Sequence, residues 1–441
     1  MRVSDLGDKK ILIVGFGREG QDAFLFLRKQ FPEKTIGIAD KKEFEELPPD
    51  AQKLLNADLK VVLYFGDTYL KQIHAHDVIL KSPGIPLRVI NAQAKKKQTI
   101  TSATNIFFSN CKGTIVGVTG TKGKSTTASL LAEVLKLTKQ KVYLVGNIEQ
   151  PALQHLSGIQ EADIVVYELS SAQLETADQS PHIAVLLNFY PEHMDYHGTL
   201  SAYLRAKTNI TKFQTPDDYF IFNEADETVA KVAASTKAKP IGFKPKNNKG
   251  AAFIAALEPV FAVAKLFNIP KDKMEKAIQK FKPLPHRLQR VGTHKGITFY
   301  NDSLATIPEA TIAALDQLGP TVHTLLVGGF DRGISMEKLA LRLLKSKIHC
   351  IIVFPTTGEL VVKEMEKIAK KEGIPKLPQS FFVNNMATAV QLAYDHTPKG
   401  GICLLSPAAS SFHMFQNYKE RGEEFQKFVK FYATHEQKKA A

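Results

Sequence analysis

Residues 114–135, TIVGVTGTKGKSTTASLLAEVL, decide the fold of this chain. The first five residues predict a strand, and from Lys124 onward apolar residues recur at helical spacing. In the turn between them, Gly120 and Gly123 free backbone N–H groups to surround phosphate oxygens, and Lys124 supplies a cation for the outer phosphates. A strand, a glycine-rich turn and a helix in this order predict a nucleotide site at the edge of a parallel sheet.

The rest of this turn supplies further phosphate-binding and metal-binding groups. Ser125 or Thr126 can ligate magnesium. Val118 stands where the usual signature has its outermost glycine, and the inner cradle does not depend on that position. We therefore expect ATP, or a similar nucleotide, with magnesium. The residues that would surround ATP are Gly120, Thr121, Lys122, Gly123, Lys124, Ser125 and Thr126.

Length and composition limit the number of domains, the cellular compartment and the kinds of partner that are expected. The 441 residues exceed what one hydrophobic core usually organises, so two or three domains are expected. The first residues lack the apolar run of a signal peptide, and no stretch is apolar for long enough to span a bilayer. Three widely spaced cysteines fit a reducing cytoplasm. A net charge of +14 is compatible with an anionic partner or with an ordinary basic surface, and no nucleic-acid module is recognisable.

Three blocks of alternating strands and helices follow one another along the chain. The first contains the apolar runs ILIVGFG, TIGIAD, VVLYFGD and DVILKSPG, the second opens at TIVGVTG, and the third begins near RVGTHKGITFYNDS. In the third block, we expect a helix between each strand and the next. This alternation predicts an α/β protein. We assign a Rossmann-like domain to residues 1–109, a P-loop domain with a parallel sheet to 110–286, and a second Rossmann-like domain to 287–441.

A second glycine-rich turn, ILIVGFGREG, occupies residues 11–20. Gly15, Gly17 and Gly20 follow a strand and open a helix, whose N-terminus favours a phosphate. Asp40 ends the next strand, where dinucleotide-binding folds place the acid that binds a ribose. Three interpretations remain open: an NAD site, a site for another nucleotide diphosphate, or a tight turn between a strand and a helix.

Two polar segments follow strands of the second block. DIVVY ends at Glu168, and the run IAVLLN is followed shortly by His193. Parallel strands deliver functional groups at their carboxyl ends, so both side chains are expected at the edge that carries the nucleotide loop. A carboxylate and an imidazole can hold magnesium there.

Lys207 lies on the apolar stripe of the predicted helix LSAYLRAKTNI, with Tyr203 and Leu204 four and three residues before it. Desolvation at that position would favour the neutral amine, which can react with carbon dioxide to form an anionic carbamate. The alternative is a lysine whose amine extends out of the stripe to water.

These segments together resemble the Mur ligase family. The matching stretches are TGTKGKST, GNI, YELSSAQLE, NFYPEHMDYHGTLSAYLRAK, LPHR, YNDS, LLVGG and LLSPAASSFHMFQNYKERGEEF. The resemblance implies three domains, which hold the UDP part of a sugar nucleotide, ATP and an incoming amino acid. ELSSAQLE, HMDYHG and the closing SPAASS…ERGEEF resemble the branch that adds glutamate to UDP-N-acetylmuramoyl-L-alanine in peptidoglycan synthesis.

The resemblance also implies roles for individual residues. Catalytic roles fall on Lys124, Glu168, His193, Lys207, Arg287 and Asp302. The last two and Asn223 would contact ATP as well. Magnesium ligands would be Ser125, Glu168, His193 and a carbamylated Lys207. The UDP-sugar would contact Gly15, Gly17, Arg18, Asp40, Lys41, Gly84, Asn147, Ser170 and Gln173. The amino acid would contact Thr306, Arg332, Ser411 and Tyr418, with Arg332 replacing a lysine of the family.

In the reaction that the resemblance implies, a substrate carboxylate attacks the γ-phosphate of ATP and becomes an acyl phosphate, which the amine of glutamate then attacks. The loop lysine and magnesium would offset the charge on the transferring phosphoryl group. We expect a monomer that acts on small molecules, with neither a nucleic-acid nor a membrane partner.

Departures from the family pattern keep two alternatives open. Leu304, Ile307 and His413 replace a lysine, an asparagine and an aspartate near the amino acid, which allows an L-glutamate-adding relative. Residues 249–256, KGAAFIAA, lack a histidine and two asparagines that the family has near adenine. Ala252, Phe253 and Ala256 offer no polar replacement, although Asn223 could compensate. A weakened or non-catalytic UDP-sugar-binding member is the second alternative.

Overall fold

The computed structural model of the chain describes residues 1–146, 151–245, 252–281, 285–331, 333–412 and 414–434. These residues form two compact units, one extending to Phe281 and the other made of the residues that follow. Within the described ranges, no helix combines the length and the apolar character needed to cross a bilayer.

The first sheet of the first unit has five parallel strands in the order β3-β2-β1-β4-β5. They are β1 (Ile11–Val14), β2 (Ile36–Asp40), β3 (Val61–Phe65), β4 (Val78–Lys81) and β5 (Thr99–Thr101), accompanied by α1 (Arg18–Gln30), α2 (Pro49–Asn56), α3 (Leu87–Asn91) and α4 (Ala103–Asn110). The central strand β1 is buried along its whole length because helices cover both faces, which explains its continuous apolar run. Strand β5, which has three residues and two threonines, was not predicted from the sequence.

The second sheet has six parallel strands in the order β11-β10-β9-β6-β8-β7. They are β6 (Thr114–Thr119), β7 (Val142–Gly146), β8 (Ile164–Glu168), β9 (Ile183–Leu186), β10 (Tyr219–Asn223) and β11 (Lys239–Phe243). The helices are α5 (Lys124–Leu135), α6 (Ser171–Leu174), α7 (Met194–His197), α8 (Leu200–Lys212), α9 (Glu227–Ser235), α10 (Ala252–Leu266) and α11 (Lys271–Lys280). Because β6 lies between β8 and β9, the loop that follows it is flanked by the ends of both neighbours.

The helix after the nucleotide loop anchors the core of this second sheet. The apolar residues Leu130, Leu131, Val134 and Leu135 on α5 are all fully buried and pack in one cluster with residues of α10 and β6. The helix predicted from their spacing is therefore confirmed. Its packing fixes the N-terminus of α5, and with it the phosphate-binding turn, against the sheet.

The sheet of the second unit is mixed, in the order β12-β13-β17-β14-β15-β16. Its strands are β12 (Gln289–His294), β13 (Ile297–Asn301), β14 (Val322–Gly328), β15 (Cys350–Phe354), β16 (Gln379–Phe382) and β17 (Ile402–Leu405). Its helices are α12 (Pro308–Leu318), α13 (Glu337–Leu344), α14 (Thr357–Glu372), α15 (Met386–His396) and α16 (Tyr418–Thr434). The predicted α/β class with three sheets is confirmed.

Helices separate the predicted strand segments of this unit as expected, but the segment RVGTHKGITFY itself forms an antiparallel hairpin that was not predicted from the sequence. Lys295 and Gly296 alone connect β12 to β13, with φ values of 50° and 82°. Two residues with positive φ form the tight turn that suits a twisted hairpin. A parallel connection needs a crossover of a dozen or more residues, which this segment does not contain.

Candidate functional site

The nucleotide loop is clamped by an amide side chain from the neighbouring strand end. Asn188, just after β9, accepts from the Lys122 backbone N–H at 2.8 Å through Oδ1 and donates to the Lys122 carbonyl at 3.0 Å. Its own carbonyl accepts from the Thr121 N–H at 3.1 Å. Gly123 then starts α5 with a φ of 84°, a conformation that favours glycine. The loop is thereby shaped before any phosphate arrives at the helix N-terminus.

Lys124 lies over this loop. Its Nζ donates to the carbonyl of Gly120 at 3.0 Å and to that of Thr121 at 3.1 Å. The ammonium group therefore lies within the glycine-rich turn, where the sequence predicts the outer phosphates of a nucleotide. It is the position from which a lysine offsets phosphate charge.

Ser125 and Glu168, two of the predicted metal ligands, are in direct contact. The Ser125 hydroxyl donates to Glu168 Oε1 at 3.0 Å, and both side chains are buried. The contact follows from the pairing of β6 with β8, which brings the end of β8 beside the loop after β6. The structure thus brings together a hydroxyl from the loop and a carboxylate from the neighbouring strand.

His193 lies on the other side of the loop, after β9. Its backbone is left-handed, with φ 57°, and its Nε2 lies 3.6 Å from Glu192 Oε2. The other oxygen of Glu192 accepts from Lys122 Nζ at 2.6 Å. His193 is therefore connected to the nucleotide loop through Glu192, and Glu168 is connected to the same loop through Ser125.

Lys207 is buried on α8, which confirms the predicted helix and the predicted desolvation. Only 1% of its surface is exposed, so the alternative in which its amine reaches water is wrong. Nζ donates to the Gly120 carbonyl at 2.7 Å and lies 4.9 Å from the centre of the Tyr203 ring. Burial, and secondarily the charge of Lys124, hold the pKa of Lys207 well below its usual value. The side chain is therefore biased toward a neutral, nucleophilic amine.

The donor set around the loop suits magnesium. A hydroxyl from Ser125, a carboxylate from Glu168, the imidazole of His193 and an oxygen anion created on Lys207 would give mostly hard ligands. Across the described residues, no group of three or more His, Cys, Asp or Glu side chains is arranged to hold a metal. A site here would therefore depend on the hydroxyl and on a modified lysine as well as on ordinary ligands.

The glycine turn of the first sheet is held by Asp40, which was predicted to bind a ribose. Its Oδ2 accepts from the Phe16 N–H at 2.7 Å, and its Oδ1 accepts from the Lys42 N–H at 3.0 Å. Gly20 must lack a side chain, because a Cβ there would lie 2.1 Å from the Gly15 carbonyl oxygen. One carboxylate oxygen of Asp40 thus supports the glycine turn, while the other holds the backbone that follows β2.

The other predicted sugar-nucleotide residues lie in several segments of the first unit. Gly17 precedes α1, which Arg18 begins, while Lys41 is exposed just after β2. Gly84 lies in the turn after β4, with open space where a side chain would be. Asn147 lies outside the described residues.

Ser170 and Gln173 follow Glu168 and form a reciprocal cap at the start of α6. The Ser170 N–H donates to Gln173 Oε1 at 2.8 Å, and the Gln173 N–H donates to the Ser170 hydroxyl at 3.2 Å. Gln173 Nε2 donates to Glu19 Oε1 at 2.7 Å, so the glutamine joins α6 to the glycine turn. Burial raises the pKa of Glu19 to about 7.

In the second unit, Arg287 and Asp302 lie on facing segments. Asp302 Oδ1 accepts from the Leu288 N–H at 2.9 Å, and Oδ2 accepts from the Ser406 hydroxyl at 2.8 Å. Burial raises the pKa of Asp302 to about 6, against these hydrogen bonds and the charge of Arg287. His286 and Leu288, which flank Arg287, have φ values of 62° and 43°, so the backbone that carries the arginine is strained.

Of the residues predicted to hold the amino acid, Tyr418 is joined to the segment that carries Asp302. Ser303, next to Asp302, donates its hydroxyl to the carbonyl of Tyr418 at 2.8 Å. Ser411 is buried after β17, and Thr306 lies in the loop before α12. Arg332 and the departure at His413 lie outside the described residues.

The residues predicted to lie near the adenine of ATP offer few polar groups for contacting it. Asn223 donates to the Leu187 carbonyl at 3.0 Å and accepts from the Ala225 N–H at 2.9 Å. Its amide group therefore already holds the end of β10 in place. Ala256 is buried on α10, and the side chains of Ala252 and Phe253 lie outside the described part of the chain.

Sequence reasoning missed three residues that shape these sites. They are Asn188, which clamps the loop; Tyr203, whose hydroxyl lies 3.1 Å from Thr121 Oγ1; and Arg421, which is buried and donates to Ser303 and Ala409. The available signal for Asn188 was an amide at a strand end. Arg421 lies in the stretch ERGEEF that resembles the family, but an arginine in the polar helix YKERGEEF is expected to be exposed, so its burial was not predicted.

Comparison with known proteins agrees with this geometry. Residues 118–280 match the Mur ligase middle domain, and residues 286–409 match the Mur ligase, glutamate ligase domain. The chain is 34% identical to UDP-N-acetylmuramoylalanine--D-glutamate ligase of Ligilactobacillus salivarius, over 95% of either chain.

Two solved structures share the fold at low identity. UDP-N-acetylmuramate-alanine ligase MurC from Thermotoga maritima superposes with a TM-score of 0.58 at 16% identity, covering 96% of this chain and 99% of the other. The MurF ligase from Thermotoga maritima in complex with ADP gives 0.57 at 17% identity, covering 98% of both chains.

Proposed function

The chain belongs to the Mur ligase family, and we propose that it is an ATP-dependent amide ligase that joins D-glutamate to UDP-N-acetylmuramoyl-L-alanine in peptidoglycan precursor synthesis. Its relative of similar length carries that activity in its name. The observation that carries the proposal is the arrangement around the loop, where Lys124 and Lys207 both donate to the Gly120 carbonyl while Ser125 contacts Glu168.

ATP binds with its phosphates at the start of α5. The backbone N–H groups of the loop surround the phosphate oxygens, and Lys124 offsets their charge as the acceptor carboxylate attacks the γ-phosphorus. The O–P bond to ADP breaks as the bond from the carboxylate oxygen forms, which gives an acyl phosphate. The amine of glutamate then displaces phosphate from the carbonyl carbon and loses a proton, which completes the amide.

Ser125, Glu168, His193 and a carbamylated Lys207 would hold magnesium, which supplies charge neutralisation for the transferring phosphoryl group. The neutral amine of Lys207 forms the carbamate by attacking carbon dioxide, with loss of one proton. The Gly120 carbonyl and the Tyr203 ring hold the amine in place before that step.

We assign the other two ligand sites by the same family pattern. The turn that contains Gly15 and the turn that contains Gly84 take the UDP part of the acceptor, together with Gly17, Arg18, Asp40, Lys41, Asn147, Ser170 and Gln173. Arg287 and Asp302 serve ATP, while Thr306, Arg332, Ser411 and Tyr418 serve glutamate. We keep the three domains at 1–109, 110–286 and 287–441, and we propose a monomer in the cytoplasm.

The test is release of inorganic phosphate from ATP and magnesium, with UDP-N-acetylmuramoyl-L-alanine and each enantiomer of glutamate in turn. We expect turnover with D-glutamate. Lys124→Met should abolish it, while Lys136→Met, at the far end of the same helix, should not. Turnover confined to L-glutamate would change the assigned stereochemistry of the added amino acid, and a folded protein inactive with both enantiomers would contradict the proposal.

The non-catalytic alternative has its own measurement. Calorimetry that shows binding of the UDP-linked acceptor but no binding of magnesium-ATP, even with the acceptor saturating, would replace the ligase with a binding protein. The altered segment 249–256 makes that comparison worth performing before any kinetic work.

A further inference from the structure

A buried polar cluster joins the two sheets of the first unit, and the proposed chemistry does not use it. It connects the turn after β4, residues 82–88, to two stretches of the second sheet. We call these stretches, residues 168–175 and 192–197, the ligand segments, because they contain Glu168 and His193. The turn belongs to the proposed sugar-nucleotide site, since it contains Gly84.

Lys81 is the centre of this cluster. It ends β4 and has 1% of its surface exposed. Its Nζ donates to the Ile85 carbonyl at 2.8 Å and to the Tyr196 hydroxyl at 3.0 Å, and lies 3.4 Å from Glu175 Oε2. One ammonium group thus contacts the turn and both ligand segments.

Glu175 and Tyr196 close the cluster around it. Glu175 Oε2 accepts from the Leu87 N–H at 3.0 Å and from the Tyr196 hydroxyl at 3.1 Å. The same hydroxyl lies 3.0 Å from the Ile85 carbonyl. A shift of the turn relative to the ligand segments would break several of these contacts together and leave a buried charge without its partner, which is costly.

The cluster continues to the nucleotide loop. His197 Nε2 lies 2.9 Å from the Ser171 hydroxyl, and its ring lies 5.2 Å from that of Tyr203. Tyr203 reaches Thr121 in the loop at 3.1 Å. At its other end, Ser82 donates to the Gly15 carbonyl at 2.6 Å, so both turns of the first sheet belong to the same connected set.

We propose that Lys81 is a positioning residue that couples occupancy of the sugar-nucleotide site to the placement of Glu168 and His193. This inference rests on the proposed function. Binding of the UDP-linked acceptor fixes the turn 82–88, and Lys81 transmits that position to both ligand segments through Glu175 and Tyr196. The bond from Gln173 to Glu19 provides a second connection between the glycine turn and the same segments.

The experiment measures linkage between two ligands. Calorimetry gives the affinity for UDP-N-acetylmuramoyl-L-alanine with and without saturating magnesium and a non-hydrolysable ATP analogue. We expect the nucleotide to strengthen acceptor binding at least about fivefold in the unmodified protein, the lower end of typical coupling between sites. In Lys81→Met, the factor should fall below about twofold.

Arg28→Met is the matched control. Arg28 forms a partly buried ion pair with Asp58 at 2.6 Å in the same sheet region, but contacts neither the turn nor the ligand segments. It should lose stability and keep the full linkage, which separates coupling from general loosening of the fold. Should Lys81→Met fail to fold, Tyr196→Phe takes its place, because it removes only the hydroxyl that Lys81 and Glu175 share.

Each outcome decides the matter. A folded Lys81→Met or Tyr196→Phe protein with the unmodified linkage factor overturns the proposal. An unmodified protein that turns over glutamate but shows a factor of one overturns the coupling and leaves the ligase assignment in place. If the unmodified protein neither binds the acceptor nor turns over glutamate, both the ligase assignment and the coupling are overturned.

Discussion

Lys81 and Lys207 are both buried lysines of the first unit, each with 1% of its surface exposed, yet their surroundings differ. Lys81 lies 3.4 Å from the carboxylate of Glu175. Lys207 donates to the Gly120 carbonyl, and its strongest charged neighbour is Lys124, a like charge. Burial lowers the pKa of both amines. Glu175 opposes the shift for Lys81, whereas Lys124 adds to the shift for Lys207 and outweighs the opposing charge of Glu192.

The difference shows that burial alone does not define a reactive lysine. A nearby carboxylate favours the ammonium form and makes Lys81 a structural connection. A like charge favours the neutral amine and leaves Lys207 ready to act as a nucleophile. Since the two lysines are equally buried, changing each to methionine tests the contrast directly.

The largest effect is expected on catalysis at Lys207. Lys207→Met removes the amine that forms the carbamate, and kcat for phosphate release should fall by about 1000-fold, as when an electrostatic contact in a transition state is removed. Lys212→Met, at the end of the same helix, is the control and should keep its activity. A loss of less than about tenfold would remove Lys207 from the mechanism.

The second effect is a loss of stability at Lys81. Lys81→Met leaves the Glu175 carboxylate partly buried without its cation, and the free energy of unfolding in urea should fall by about 3 kcal/mol. The double variant Lys81→Met, Glu175→Gln should recover part of that loss because it removes the unpaired charge. Equal stabilities of the single and double variants would show that the unpaired carboxylate costs little free energy.

The third effect is a gain in the free energy of unfolding, and it depends on pH. The folded-state pKa of Lys207 is depressed, so between that pKa and about 10.4 the unfolded chain binds one more proton than the folded protein. The contribution of Lys207 to stability therefore rises across this window, by at most about 1.4 kcal/mol per pH unit. In buffers free of carbon dioxide, Lys207→Met should remove this slope and be at least as stable as the unmodified protein near neutral pH. An unchanged slope would mean that Lys207 remains charged in the folded protein.

The smallest effect is expected for the tyrosine between the two lysines. Tyr203→Phe removes the hydroxyl that contacts Thr121, and the free energy of unfolding should fall by about 1 kcal/mol. Thr121→Val in the same background should add less than it does alone, since the two hydroxyls form one contact. Additive losses would show that the 3.1 Å contact is not a hydrogen bond in solution.

Much of the fold could be predicted from local pattern. The runs TIVGV, DIVVY and ILIV are buried strands at the predicted places, because strands buried on both faces need continuous apolar residues. Short or polar strands such as Thr99–Thr101 carry no such pattern and were missed. Asp40 shows the limit for sites, since its position at a strand end was predictable while its two contacts to backbone N–H groups were not.

By itself, the sequence determined the phosphate loop, because Gly120, Gly123, Lys124 and Ser125 come from one short segment whose spacing fixes their geometry. Only the tertiary structure decided what surrounds each buried lysine. Lys81 and Tyr196 lie 115 positions apart, and Lys207 reaches a carbonyl 87 positions before it. The charge that a buried amine carries depends on partners brought from distant strands, and electrostatic energy in a low-dielectric interior follows distance in space rather than in sequence.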